Sequence, residues 1–193
     1  MTTGNRTSFL TLPANLPRPS DDGACDHLPG RAIPAVALTA TDGATIDLHA
    51  LTNKPTVLFF YPRSGRPDEP APEHWDEIPG ARGCTPQACG FRDDYTQFQS
   101  RGITVFGVST QTTGYQQEFA TRMHLPYLLL SDALFELTDA LRLPTFTYQG
   151  ARLLKRMVWF CDRSTILQVF YPVFPPDQSA REVLNWLDAS ATK

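Results

Sequence analysis

The sequence predicts an α/β fold, a mixed central β-sheet with helices on both faces. TVLFFY (56–61) and ITVFGVS (103–109) are continuous apolar runs of β-forming residues, typical of strands that are buried on both faces. A helical pattern lies between them, and such a strand–helix–strand unit places its two strands in parallel. KRMVWFC (155–161) and TILQVFY (165–171), joined by a short turn, predict an antiparallel hairpin, so the sheet is expected to be mixed.

The composition fits one globular domain. Of the 193 residues, 41% are hydrophobic and 19% are charged, which is enough apolar material for a sizeable core. The formal net charge is only -3. The sequence therefore has neither the excess of basic residues typical of nucleic-acid-binding proteins nor the basic cluster that binds anionic lipids. We therefore expect small molecules or proteins as partners, and neither nucleic acid nor a membrane.

Cysteine usage points to redox or metal chemistry rather than to structural disulfides. The N-terminal stretch lacks the apolar core of a signal peptide, and no run approaches the roughly eighteen residues of a membrane span. We therefore expect a cytoplasmic protein, in a compartment that keeps thiols reduced. The four cysteines are then no disulfide framework, and a close pair is expected to be catalytic or metal-binding.

The N-terminal part precedes the first predicted strands. Residues 1–30 are rich in Pro, Gly, Asp and Asn, and we interpret them as a polar extension lying on a domain of residues 31–193. Cys25 in this extension is expected to be a buried structural thiol. AVALTA (35–40) and ATIDLH (44–49) flank an Asp-Gly turn signal and predict a first hairpin.

A helix is predicted after the central strand. From Pro86 to about Arg101, apolar residues recur at spacings of three and four. Thr85 is a predicted N-cap and Pro86 a predicted first helical residue. Gly102 is predicted to end the helix.

The remaining elements complete the predicted topology. Residues 113–124 and 132–141 are predicted helices separated by LPYLLL, and a last helix is expected at about 177–189. From residue 56 onward the predicted order is βαβ, then α, then ββα. This order is the layout of a thioredoxin-like fold.

One long segment does not fit a regular element. RSGRPDEPAPEHWDEIPG (63–80) is rich in proline and acidic residues, and we interpret it as an inserted loop without secondary structure. Loops of this length in a compact domain more often have a function than not. It leads directly to Cys84, and Trp75 is its obvious apolar element.

Two cysteines, Cys84 and Cys89, flank the predicted helix start in GCTPQACGFRD. Unpaired amide groups and the helix dipole favour an anion there, which suits an activated nucleophile. On helix geometry Cys84 faces into the fold, Cys89 points roughly 140° away, and their Cα atoms are about 8 to 9 Å apart. A disulfide needs less than about 7 Å, so helix and disulfide exclude each other.

The chemistry of this pair is open on the residues alone. A Cys84 thiolate that attacks an oxidant becomes a sulfenic acid, and a second thiol condenses with it once the helix start unwinds. Alternatively, Cys84 is a small buried hydrophobe and Cys89 an incidental helix residue. A zinc site is the weaker interpretation, because no second ligand pair is present and the histidines lie in different segments.

GCTPQACGFRD closely resembles the active-site segment of the Q-type, or bacterioferritin-comigratory-protein-like, peroxiredoxins. TVLFFYP before it, and ITVFGVST, LPYLLLSD and KRMVWF after it, follow the order of that family. The resemblance covers the chain from about residue 31 to its end. It implies a thiol-dependent peroxidase that reduces hydrogen peroxide or alkyl hydroperoxides without metal, haem or flavin, because sulfur carries both electrons.

The resemblance assigns residue roles. Cys84 is the peroxidatic thiol and Cys89 the resolving thiol, which implies an intramolecular disulfide recycled by thioredoxin or a similar dithiol reductant. Arg156 is similar to the arginine that stabilises the thiolate and orients the peroxide, as a permanently charged guanidinium can. Lys155 is an equally good candidate on composition alone. Arg82, close to Cys84, is expected to contribute only a screened charge.

The sequence departs from the family at the substrate loop. The family has a proline seven residues, and a threonine or serine three residues, before the peroxidatic cysteine, where this chain has Glu77 and Ala81. Pro62 resembles the family's proline displaced by the inserted loop, and Pro79 is the alternative. The candidate substrate-loop residues are Pro62, Ala81, Gly83, Thr85 and Trp75.

Two other functions stay open at this stage. The first is a thiol–disulfide oxidoreductase, although that chemistry usually has a C-x-x-C spacing at the helix start. The second is a non-enzymatic redox sensor, which the missing hydroxyl at Ala81 leaves possible. The protein is expected to be a monomer or a homodimer.

Overall fold

A computed structural model describes residues 10–69 and 72–191. The strands are β1 (Ala37–Ala40), β2 (Thr45–Asp47), β3 (Thr56–Phe60), β4 (Thr104–Ser109), β5 (Leu129–Ser131), β6 (Thr145–Tyr148), β7 (Ala151–Leu154), β8 (Met157–Asp162) and β9 (Thr165–Phe170). The α-helices are α1 (Leu48–Leu51), α2 (Cys84–Asp93), α3 (Tyr95–Ser100), α4 (Thr113–Arg122), α5 (Glu136–Leu141) and α6 (Ser179–Ala191). Short 3-10 helices occupy Trp75–Glu77 and Pro176–Gln178. The first lies in the inserted loop, so the prediction that this loop has no secondary structure is wrong. None of these helices is long and apolar enough to cross a membrane.

A mixed sheet has the strand order β2-β1-β5-β4-β3-β8-β9. β3 is parallel to β4 and antiparallel to β8, so the predicted parallel pair is confirmed. The predicted hairpins are also confirmed, since β1 pairs antiparallel with β2 and β8 with β9. β6 and β7 form a separate two-stranded hairpin.

β3 is the centre of the fold because both of its faces are covered. Val57 and Phe59 face a core cluster built with α2, α3, α4 and α6. Leu58 and Phe60 face the opposite cluster, which includes residues of α1 and α5. The predicted arrangement of helices on both faces is therefore confirmed, and the carboxyl end of β3 leads into the inserted loop.

The single helix predicted from about residue 86 to 101 is in fact two helices. α2 ends at Asp93 and α3 begins at Tyr95. The side chain of Asp94, at the break, accepts hydrogen bonds from Gln97 Nε2 at 2.7 Å and from Arg181 Nη2 at 2.6 Å. A buried carboxylate held by a partner from α6 fixes the junction, which local helical periodicity cannot predict.

The predicted start of this helix is also wrong. α2 begins at Cys84, and Gly83 occupies the N-cap position with a left-handed φ of 106°. Thr85 therefore lies inside the first turn instead of capping it. The turn from the loop into the helix needs a positive φ, which glycine adopts without the steric penalty of a side chain.

Three short strands were not predicted. β5 begins within LPYLLL, ends at Ser131 and has three residues, too few for a periodic pattern. β6 and β7 pair with each other and pack under the inserted loop, where the rings of Tyr148 and Trp75 are 5.0 Å apart. The helix predicted at 132–141 begins only at Glu136, because the Asp132 carboxylate accepts hydrogen bonds from backbone amides of the helix.

Part of the predicted N-terminal extension belongs to the core. Leu28 is fully buried in the cluster on the α5 side of the sheet, so a purely surface-lying extension is the wrong interpretation. Cys25 is buried as predicted, with its Sγ 3.8 Å from Met157 Sδ. Burial raises the pKa of the Cys25 thiol to about 12. Residues 1–9 lie outside the described residues.

Candidate active site

Cys84 lies where the inserted loop joins α2. Its side chain is only 4% exposed and packs in the core cluster on the α2 side of the sheet, as its helical position predicted. Its Sγ donates to the carbonyl oxygen of Ala81 at 3.7 Å. A Cβ added to Gly83 would lie 2.3 Å from Cγ of Pro176, so glycine allows the close packing that fixes Cys84 at this point.

Arg156 brings a buried positive charge to the sulfur. Its Nη2 lies 3.2 Å from Cys84 Sγ and also donates to the carbonyls of Ala81 and Arg82, at 3.0 and 3.3 Å. Its Nε donates to the carbonyl of Gly80 at 3.3 Å. The loop carbonyls thus hold the guanidinium, and a permanently charged donor lies beside the Cys84 sulfur at the start of α2.

Lys155, the alternative to Arg156, is engaged elsewhere. Its Nζ pairs with Asp22 Oδ2 at 2.5 Å, and the Tyr171 hydroxyl donates to the same carboxylate at 2.7 Å. These two hydrogen bonds lower the pKa of Asp22 to about 2. The lysine therefore ties the N-terminal segment to the start of β8, while Arg156 faces the sulfur.

Gln87 is a site residue that the sequence analysis missed. It is fully buried on α2, one turn after Cys84, and its Oε1 accepts a hydrogen bond from Arg156 Nη1. Its Nε2 has no hydrogen-bond partner among the described residues. The spacing of three residues from Cys84 was the available signal, since it places both side chains on one helix face.

Cys89 is half-buried on the same helix. Burial raises its pKa, and the nearby charge of Arg92 opposes this shift only in part. Cys25, Cys84, Cys89 and Cys161 are all free thiols. No group of three or more potential metal ligands comes together within residues 10–69 and 72–191.

α2 is anchored along its length. The Tyr127 hydroxyl donates to the carbonyl of Ala88 at 2.6 Å. At Gly90 the backbone is so close to the 3-10 helix Pro176–Gln178 that an added Cβ would lie 2.9 Å from the carbonyl oxygen of Asp177. A bond between Cys84 and Cys89 therefore requires these anchors to release part of the helix.

A small pocket opens beside Cys84. Its volume of about 20 Å³ holds roughly one water-sized molecule. Trp75, Gly83 and Thr85 line it, whereas Pro62 is buried and absent from its wall. Ala81 contributes its carbonyl to Arg156 and has a fully buried side chain.

Two further arginines line this pocket. Arg82 is only 6% exposed and pairs with Asp76 at 3.4 Å, so the expectation of a merely screened surface charge is wrong. Arg63 lies with its guanidinium 6.0 Å from the ring centre of Trp75. Its Nη2 is 3.7 Å from Glu69 Oε2.

A family model described as Redoxin matches residues 28–184, which include both cysteines of α2 and Arg156. Peroxiredoxin Q, chloroplastic, from Populus jackii is 32% identical over 161 residues, 83% of this chain and 68% of that protein. Peroxiredoxin bcp1 from Schizosaccharomyces pombe is 36% identical over 132 residues, 67% of this chain and 60% of that protein.

Solved structures show the same fold. Peroxidoxin BcpB from Mycobacterium tuberculosis is 27% identical, with a TM-score of 0.68 over 84% of this chain and 97% of that chain. A cysteine-to-serine mutant of PrxQ from Xylella fastidiosa is 23% identical, with a TM-score of 0.68 over 86% of this chain and 98% of that chain. The predicted thioredoxin-like fold is confirmed.

Proposed function

Because this chain belongs to the redoxin family, as a Q-type peroxiredoxin, we propose that it is a thiol-dependent peroxidase in which the Cys84 thiolate attacks hydrogen peroxide or an alkyl hydroperoxide. The contact of 3.2 Å between Arg156 Nη2 and Cys84 Sγ carries this assignment. It joins a buried sulfur to a buried, permanently charged donor. The same donor is positioned to hydrogen-bond a peroxide oxygen beside the sulfur.

The first step oxidises Cys84. Its sulfur attacks the terminal peroxide oxygen, the O–O bond breaks, and the sulfur becomes a sulfenic acid. The departing hydroxide or alkoxide takes up a proton and leaves as water or an alcohol. Arg156 stabilises the negative charge as it moves from sulfur to the departing oxygen. Thr85 offers a hydroxyl in the pocket where Ala81 lacks one.

The second step uses Cys89. Its thiol condenses with the Cys84 sulfenic acid, which forms a disulfide and releases water. Since the intact helix separates the two sulfurs, α2 must open first. A dithiol reductant such as thioredoxin then restores both thiols by exchange. The cytoplasm, which keeps thiols reduced, is the compartment that we propose.

Intact mass and peptide mapping after one equivalent of hydrogen peroxide test this cycle. The fully reduced protein is expected to lose two hydrogens within seconds, mapped to a Cys84–Cys89 bond. In Cys89→Ser, a sulfenic acid should be trapped on Cys84, and Cys84→Ser should not react. A Cys84 that stays reduced for minutes while disulfide substrates oxidise it readily would instead identify a thiol–disulfide oxidoreductase.

A further inference from the structure

We propose that Arg63 and Arg82 form an anion-recognition site at the mouth of the Cys84 pocket, and that this peroxidase prefers hydroperoxides that carry a carboxylate. This inference rests on the proposed peroxidase function, since it names the substrate class of the same site. It concerns residues other than the cysteine pair and Arg156.

The wall of the pocket is positively charged. Arg63 and Arg82 line it, and none of the described residues that line it is acidic. The carboxylates that pair with the two arginines, Glu69 and Asp76, lie outside this wall. A substrate at the mouth therefore faces the guanidinium groups and the start of α2, all of which attract negative charge.

Arg63 has an unused hydrogen-bond donor. Its Nε is buried and has no hydrogen-bond partner among the described residues. The distance of 3.7 Å from its Nη2 to Glu69 Oε2 is an ion-pair contact, too long for a hydrogen bond. Buried donors are rarely left unpaired, and a carboxylate accepts from guanidinium in a charge-assisted bond. A substrate carboxylate would supply the acceptor that this donor lacks.

The geometry also leaves room for the rest of such a substrate. The cavity at the sulfur, about 20 Å³, fits the peroxide end alone. Arg63 also lines a neighbouring groove of about 510 Å³, together with Tyr115, Tyr148 and Arg152. With the peroxide at Cys84, the carbon body of the substrate would leave the small cavity beside Arg63, which lines both spaces, and its carboxylate would meet Arg63 from the groove.

A tertiary hydroperoxide with a carboxylate, compared with its own methyl ester, isolates the effect of charge. The readout is the second-order rate constant for oxidation of Cys84 in Cys89→Ser at neutral pH. We expect the carboxylate form to react roughly tenfold to a hundredfold faster than the ester, as charge-assisted hydrogen bonds to a substrate would give. This preference should shrink as ionic strength rises.

Variants of the loop arginines locate the effect. Arg63→Met should bring the ratio of the two rate constants close to one, and Arg63→Lys should keep part of the preference. Arg66→Met is the matched control, because Arg66 belongs to the same loop, faces Glu118 at 3.8 Å and does not line the pocket. Its ratio should stay at the value of the parent protein.

Different results would contradict the anion-recognition site and the peroxidase function. Equal rates for acid and ester, with rapid oxidation of Cys84 by hydrogen peroxide, would overturn the anion-recognition site and leave the peroxidase intact. A preference for the acid that survives in Arg63→Met would likewise overturn it. If neither hydrogen peroxide nor either organic hydroperoxide oxidises Cys84, the peroxidase assignment itself is wrong.

Discussion

At the scale of the residue, one buried guanidinium organises the site. Arg156 contacts the sulfur of Cys84 through Nη2, the carbonyls of the substrate loop through Nη2 and Nε, and Gln87 through Nη1. Burial strengthens these contacts because little water competes with them. We therefore expect the reactivity of Cys84 to depend on the charge of Arg156 and also on the groups that hold its guanidinium in place.

Replacing Arg156 by Met should slow the oxidation of Cys84 by hydrogen peroxide about 100-fold, the usual effect of removing one pre-positioned electrostatic group. Quenched-flow mass spectrometry in the Cys89→Ser background measures this rate. Lys155→Met is the matched control, since the neighbouring cation pairs with Asp22 and is expected to leave the rate nearly unchanged. Similar losses in both variants would contradict the role of Arg156.

Gln87 is expected to act as a positioning residue for Arg156. Gln87→Leu removes the acceptor of Nη1, and we expect the rate constant for Cys84 oxidation to fall about tenfold, the scale of one lost hydrogen bond to a charged group. Gln87→Glu keeps an oxygen acceptor on a side chain of the same shape and should recover most of the rate. A Gln87→Leu protein that reacts as fast as the parent protein would contradict the positioning role of Gln87.

At the scale of the element, α2 is held by close contacts that glycine makes possible. Its backbone approaches the 3-10 helix Pro176–Gln178 at both Gly83 and Gly90. The hydroxyl of Tyr127 ties its middle to the segment before β5. The proposed cycle has to break these contacts each time Cys89 reaches Cys84.

Gly90→Ala should weaken this docking. The added Cβ would lie 2.9 Å from the carbonyl oxygen of Asp177, and overpacking of this kind lowers the free energy of unfolding by about 1 to 3 kcal/mol. Gly114→Ala in α4 is the control, because no atom lies within 4 Å of its added Cβ. There we expect a gain of up to about 1 kcal/mol from helix propensity.

Urea unfolding of both glycine variants gives these differences. Cys84–Cys89 disulfide formation after peroxide treatment should also be faster in Gly90→Ala, because a less firmly docked α2 opens more often. If the Gly90→Ala protein is as stable as the Gly114→Ala protein, the close approach to Asp177 does not prevent a side chain at position 90.

The same elements show what the sequence could predict. β3 and β4 were found because each is a long apolar run, and the β8–β9 hairpin because a short turn separates two such runs. β5 has too few residues to show a pattern. The break at Asp94 depends on Arg181, 87 residues further along the chain, and no local window contains that contact.

The sequence also predicted part of the candidate site. The helix start and the family resemblance pointed to Cys84, Cys89 and Arg156, and the structure brings the first and the last of these together. The burial of Arg82 and the partner of Gln87 arise from packing between distant segments. These are tertiary contacts, which a helix pattern or a charge count does not contain.

At the scale of the whole molecule, the N-terminal segment is attached to the rest of the fold at two points, Asp22 and Leu28. Leu28 fills the core on the α5 side. Asp22 receives hydrogen bonds from Lys155 and from Tyr171, which lie before β8 and after β9. One of these contacts is made by Lys155, the residue directly before Arg156.

The tether at Asp22 should depend on pH. Its pKa falls from 3.8 to about 2 on folding, because Lys155 and Tyr171 bind the charged form. The folded protein binds this proton less readily than the unfolded chain, so the stabilisation is complete above about pH 4 and disappears as the pH falls towards 2. Because the carboxylate is 42% exposed, solvent screening limits the effect to less than about 1 kcal/mol.

Asp22→Asn tests this prediction. The variant should be less stable than the parent protein at about pH 6, and most of this difference should be lost at about pH 2, where the Asp22 carboxyl is protonated in the unfolded chain and about half protonated in the folded protein. Urea unfolding at the two pH values measures the difference. A stability gap that stays constant across this range would rule out titration of Asp22 as its cause.

An intact α2 and the proposed Cys84–Cys89 disulfide exclude each other. This affects the free energy of reduction of the disulfide. The free energy gained when the helix reforms becomes available only after the disulfide is reduced. It therefore raises the reduction potential of the cysteine pair, by about 30 mV for each 1.4 kcal/mol of helix docking. In the proposed cycle, the contacts of Tyr127 and Gly90 would thus make the disulfide form a better electron acceptor.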